Sequence, residues 1–136
     1  MKRILKILHI DDDPDTRFLM RELLEEAQMP DEQVEIEWLE AGDVAQALAK
    51  WGQTSLDGVF LDNRLGAREG VEEIPRLRST WSCPIWVVTG LPEKLLQERA
   101  VRNGAAGLLA KDELLADGRN LRETVLRVTG APPACR

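Results

Sequence analysis

Five times along this chain a short apolar run gives way to a helical stripe. Four of the five apolar runs are followed directly by a polar or charged residue. The runs are Ile4 to Ile10, Val34 to Trp38, Val59 to Leu61, Ile85 to Val88 and Leu108 to Ala110. Val59-Phe60-Leu61 carries no polar position, as expected of a strand covered on both faces of a parallel sheet. Val34, Ile36 and Trp38 alternate with Glu35 and Glu37, which predicts a strand with one wet side at a sheet edge.

The stripes between them have helical spacing. Leu19, Leu23 and Ala27, with Met20 and Leu24, form the first. Asp13 reads as its N-cap, with Pro14 at the first helical position and Asp15 in the first turn, and Pro30 closes it. Asp43 is placed to cap a second helix carrying Val44, Ala47, Leu48 and Trp51. A third holds Val71, Ile74 and Leu77, and tolerates Pro75 only if it begins near Val71 or Glu72, where the first helical amides have no partner to lose. Pro92 is expected to open a fourth, with Gly104 just past its end, and Leu121, Val125 and Val128 mark a fifth. With right-handed crossovers, this alternation gives an α/β fold, a three-layer sandwich around a five-stranded parallel sheet. One domain over residues 1–130 is predicted, followed by a frayed tail over 131–136.

Composition excludes several classes. The 136 residues suffice for one core without staples. A net charge of −6 makes nucleic acid a poor partner. No apolar run approaches the roughly 18 residues of a membrane span. Ile4 to Ile10 runs into Asp11-Asp12-Asp13 rather than a cleavage site, so it is not read as an export signal. The two cysteines then read as reduced thiols in a cytoplasm.

In open α/β sheets, sites form beyond the carboxyl ends of the strands. The first strand is followed by Asp11 and Asp12, the third by Asp62 and the fifth by Lys111, while Thr89 ends the fourth. Three carboxylates at one edge repel each other unless a cation joins them, and oxygen ligands favour Mg²⁺ or Mn²⁺ over zinc. Lys111 adds a second positive charge and Thr89 a hydroxyl donor, a set suited to an incoming phosphoryl group. Asp13 and Asp15 read as helix-start residues, His9 as a packed strand residue, and the four tryptophans as core packing.

The stretches ILHIDDDPDTRFLMRELL, VFLDNRLGAREGVEEIPRLR, WVVTGLPE and GAAGLLAKDE resemble the receiver domain of two-component response regulators, over about Ile4 to Val128. The resemblance implies a flavodoxin-like sheet of order 2-1-3-4-5, which is the order already known for members of this fold. It implies Asp62 as phosphoacceptor. Mg²⁺ would be held by Asp12 directly, by Asp11 through water, by Asp62 and by the main-chain carbonyl of Arg64. Thr89 and Lys111 would contact the phosphoryl group. It also implies a histidine kinase or histidine-phosphotransfer protein as donor, a downstream protein as reader, and a possible homodimer. With the chain ending soon after the fifth helix, output is expected to pass through a partner. Three positions depart from the usual pattern: Leu108 replaces an aromatic residue, Asp112 a proline after the lysine, and Gly66 a proline four residues after the acceptor. Two other readings compete: an unphosphorylated interaction module, and a phosphatase resembling the haloacid dehalogenases with Asp11 as nucleophile.

Overall fold

The computed structural model describes residues 3–28 and 33–130. Five parallel strands form the central sheet: β1 (Arg3–Ile10), β2 (Val34–Ala41), β3 (Gly58–Asp62), β6 (Ile85–Thr89) and β7 (Gly107–Ala110). Their order is β2-β1-β3-β6-β7, which is the expected 2-1-3-4-5 arrangement once a two-stranded hairpin is set aside. That hairpin, β4 (Arg64–Leu65) and β5 (Arg68–Glu69), follows β3 directly. The wet-sided strand β2 lies at the sheet edge, as its alternation predicts.

The helices are α1 (Pro14–Ala27), α2 (Val44–Trp51), α3 (Gly70–Arg78), α4 (Lys94–Arg102), α5 (Lys111–Leu115) and α6 (Gly118–Val128). They cover both faces of the sheet. Leu8 and Ile10 of β1 pack with Val44, Ala47, Ile74, Leu77 and Ala100 from α2, α3 and α4. Leu5 and Ile7 point the other way, into a second core with Met20, Leu24, Leu114, Leu121 and Val125 from α1, α5 and α6. Phe60, Leu61 and Ile85 are fully buried between these layers. Each such side chain contributes about 1.5–3 kcal/mol by leaving water.

N-cap side chains set three of the six described helix starts, at α1, α2 and α6. Asp13 and Asp43 occupy N-cap positions and accept the backbone N–H groups of Asp15 and Gln46, and Pro14 stands in the first turn of α1. The α4 helix closes with a Schellman pattern, in which the N–H groups of Gly104 and Ala105 reach the carbonyls of Val101 and Ala100. The expected stop at Pro30 and the tail over 131–136 lie outside the described residues.

Three expectations need correction. First, α4 begins at Lys94 rather than at Pro92, because Glu93 keeps an extended backbone (φ −96°, ψ 150°). Second, the run between β7 and the last helix is helical: α5 carries Asp112 and Glu113 in its first turn, where acids favour the helix dipole, and Asp117 then caps a separate α6. Third, α3 begins at Gly70, one residue earlier than Pro75 was expected to allow. The Val71 carbonyl, which Pro75 cannot serve, accepts instead from the Asn103 side chain at 2.7 Å. Asn103→Ala leaves that carbonyl without a donor and is expected to destabilise the fold by about 1–2 kcal/mol. Thermal unfolding of the variant measures this, and an unchanged midpoint contradicts it.

Candidate functional site

The parallel strands end together, and the residue after each is thrown to the same edge. Asp11 continues the β1 ladder by one bond, from its N–H to the Ala41 carbonyl. Its carboxylate is fully buried. Oδ1 accepts the Asp13 N–H at 2.9 Å, while Oδ2 faces His9 Nε2 at 3.5 Å and Lys111 Nζ at 3.6 Å. Asp62, the last residue of β3, is 5% exposed, and its Oδ2 lies 3.8 Å from Lys111 Nζ. Lys111 is placed there because α5 starts directly where β7 stops, so one half-buried ammonium serves both buried acids. Thr89 ends β6, buried, and its Oγ1 accepts the Leu91 N–H at 3.1 Å.

Asp12 is exposed, and its Oδ2 accepts the Gly66 N–H at 2.9 Å. Gly66 has φ +62° and is the first turn residue of the hairpin, the pattern of a type II′ turn. A proline there has no N–H, so the departure noted at this position supplies a bond that the common residue cannot make. Asn63 fixes the other end of this segment. Its carbonyl accepts the Gly70 N–H and its Oδ1 accepts the Val71 N–H, which caps α3. A side chain at Gly70 would meet the Asp62 carbonyl oxygen at 2.4 Å, so glycine allows α3 to start against the backbone of the site.

Asp11, Asp12 and Asp62 each offer one oxygen, all within 4.8 Å of one another. Oxygens around a Mg²⁺ at about 2.1 Å stand about 3–4.2 Å apart, so a small closure brings the three together. The donor set is all oxygen, and Asp11 Oδ2 is buried without a hydrogen bond. The residues therefore fit a hard divalent cation. Arg64 lines the mouth of this site. The groove above has a volume of about 720 Å³ and includes Asp12, Asp62, Thr89, Leu91 and Lys111 in its walls. Asp13 also borders it, but its carboxylate is held by the Asp15 N–H and the Thr16 hydroxyl, as expected of a cap.

The two buried acids divide the available stabilisation unequally. Burial pushes the Asp11 carboxyl up, but the His9 side chain, the Asp13 N–H and Lys111 outweigh it and hold it below the ordinary carboxylate range. Asp62 is raised from 3.8 to about 7, by burial first and then by the Asp11 charge, against the opposing pull of Lys111. The structure places Asp11, Asp12, Asp62, Thr89 and Lys111 together at this edge. Three neighbours had no assigned part in it: the Gly66 amide, His9, and Arg17, whose guanidinium donates to the Asp11 carbonyl and pairs with Glu40. A histidine inside an otherwise apolar strand end was the one visible signal among them.

A doubly wound sheet with clustered acids, a lysine and a threonine at its carboxyl edge defines a phosphoryl-accepting signalling module. A family model described as the response regulator receiver domain matches residues 7–125. The chain belongs to that family. Its members are signalling modules of two-component systems rather than enzymes of the ordinary kind, and they work with histidine kinases and downstream targets. No curated protein matches the chain. Among solved structures, the chemotaxis protein CheY4 of Vibrio cholerae is similar, with 26% identity and TM-score 0.74 over 93% of this chain and 99% of that one. The response regulator domain of Thermotoga maritima CheB shares the fold at 18% identity, TM-score 0.73, over 96% of this chain and 100% of that one. So does a Burkholderia pseudomallei response regulator solved with a phosphorylated aspartic acid, a calcium ion and citrate, at 21% identity, TM-score 0.67, over 94% of this chain and 75% of that one. No described helix is long and apolar enough to cross a membrane.

The raised Asp62 has a consequence for stability. A carboxyl that holds its proton more tightly when folded contributes stability below its unfolded value near 3.8, and loses it as pH rises through about 7. In the metal-free protein at pH 8, Asp62→Asn should therefore raise stability, on the order of 2 kcal/mol. At pH 4 the two proteins should unfold at similar temperatures. A variant that is no more stable at pH 8 contradicts the buried-charge assignment.

Proposed function

We propose that Asp62 is the phosphoacceptor of this receiver domain. The observation that carries the reading is a buried carboxylate at the floor of an open groove, 3.8 Å from a lysine and within 4.8 Å of two further acids. Asp11, Asp12 and Asp62, with the main-chain carbonyl of Arg64, would hold Mg²⁺ or Mn²⁺, which supplies positive charge for the phosphoryl oxygens.

The Asp62 oxygen attacks phosphorus as a carboxylate. A new oxygen–phosphorus bond forms, and the bond from phosphorus to the donor's histidine nitrogen breaks. The departing nitrogen keeps the electron pair. Lys111 is placed to neutralise a phosphoryl oxygen after transfer, since it already spans Asp62 and Asp11. Thr89 offers its hydroxyl proton, because its oxygen is already engaged as acceptor of the Leu91 N–H. A phosphoryl contact by Thr89 thereby pulls on the Gly90–Pro92 loop and α4 without an aromatic at Leu108. The phosphorylated aspartate in the Burkholderia pseudomallei relative supports the same chemistry on a shared fold. We assign the donor to a histidine kinase or histidine-phosphotransfer protein and the readout to a protein target.

Incubation with a small phosphodonor and Mg²⁺ should place one phosphoryl group on Asp62, located by mass spectrometry. Chelation should stop the labelling and Asp62→Asn should abolish it. Undiminished labelling in that variant overturns the assignment, and label on Asp11 favours the phosphatase reading instead.

A further inference from the structure

His9 is the only histidine in the chain and is fully buried. It lies on β1, two residues before Asp11, on the same face of the strand. Its ring packs at 5.3 Å from Trp38, which in turn meets the edge of Phe60. Neither ring nitrogen makes a hydrogen bond with the protein, and Asp11 Oδ2 makes none either. Lys111 Nζ forms an ion pair with Oδ2 at 3.6 Å without a hydrogen bond, and the unsatisfied atoms of His9 and Asp11 face each other: His9 Nε2 and Asp11 Oδ2 are 3.5 Å apart. That gap exceeds a normal hydrogen bond by a few tenths of an ångström.

An apolar residue would fill this strand position without the cost of burying two unpaired nitrogens. Packing alone therefore does not account for histidine. A carboxylate that binds metal is held in place by groups beyond it, and loss of such a group commonly weakens metal affinity about 10–100-fold. The Asp13 N–H already fixes Oδ1. A donor on the other oxygen would fix the plane of the carboxylate from both sides.

We infer that His9 is a positioning residue for the divalent-cation site: its Nε2–H holds Oδ2 of Asp11 and sets the direction in which that carboxylate faces the ion. This rests on the proposed metal site, and His9 itself touches neither the ion nor the phosphoryl group. The device uses residues of one strand end, so it needs no movement of the helices.

Two measurements test it. In ¹⁵N-labelled wild-type protein without metal, the single imidazole should carry a proton on Nε2. A ring with Nε2 bare overturns the inference whether or not the protein binds metal. The second is Mg²⁺ binding by titration calorimetry. His9→Val should weaken binding about tenfold or more. His9→Gln, whose amide places an N–H near the same point, should stay within about threefold of wild type on the same reasoning. Equal affinity in the valine variant overturns the inference, and so does equal loss in both variants. Failure of the wild type to bind Mg²⁺ would instead refute the metal site, with the ring measurement still deciding His9.

Discussion

The repulsion between Asp11 and Asp62 governs the rest of the site. Two carboxylates about 5 Å apart repel by about 3 kcal/mol at the effective dielectric of a protein. Both are buried, so water relieves little of that cost. One lysine lies 3.6 Å from the first and 3.8 Å from the second, too little charge for both. The metal-free protein settles the imbalance by giving Asp62 a proton, with its value near 7, while Asp11 stays ionised. A divalent cation would settle it by charge, and in doing so would free Asp62 to act as a nucleophile. The same three acids thus link metal binding to reactivity.

The sheet makes this crowding unavoidable. The β1 and β3 strands are adjacent and parallel, with Ile10 beside Leu61, so Asp11 and Asp62 leave the sheet side by side. The β6 and β7 strands bring Thr89 beside Ala110, and Lys111 follows at once. Two apolar cores, one on each face, hold the strands in that register. Around the edge, backbone groups do much of the positioning. The Asp13 N–H fixes Asp11, the Gly66 N–H fixes Asp12, and the Asn63 side chain anchors the start of α3 behind Asp62.

What could be read from the residues was whatever is set locally. Strand type, the Asp13 and Asp43 caps and the strand-end residues follow from spacing of one turn or one pleat. The rest depended on distant partners or on runs too short for periodicity. The α5 helix has only five residues and no second turn to show a stripe. The tolerance of Pro75 comes from outside its own helix, from Asn103 at the C-cap of α4. The hairpin after Asp62 does carry a local signal: Gly66-Ala67 between Leu65 and Arg68 suits a two-residue turn with glycine first. His9 looked like packing because nothing in a single strand shows that its ring faces the carboxylate two residues on.

A cation that binds the three acids must displace the proton held by Asp62. Calorimetric titration of Mg²⁺ in buffers of different ionisation enthalpy counts it directly. Release should approach about one proton per ion at pH 6 and fall towards none at pH 8.5, because Asp62 loses its proton near pH 7 in the absence of metal. Binding with no proton release at pH 6 would contradict the claim that Asp62 is held neutral by its buried neighbours.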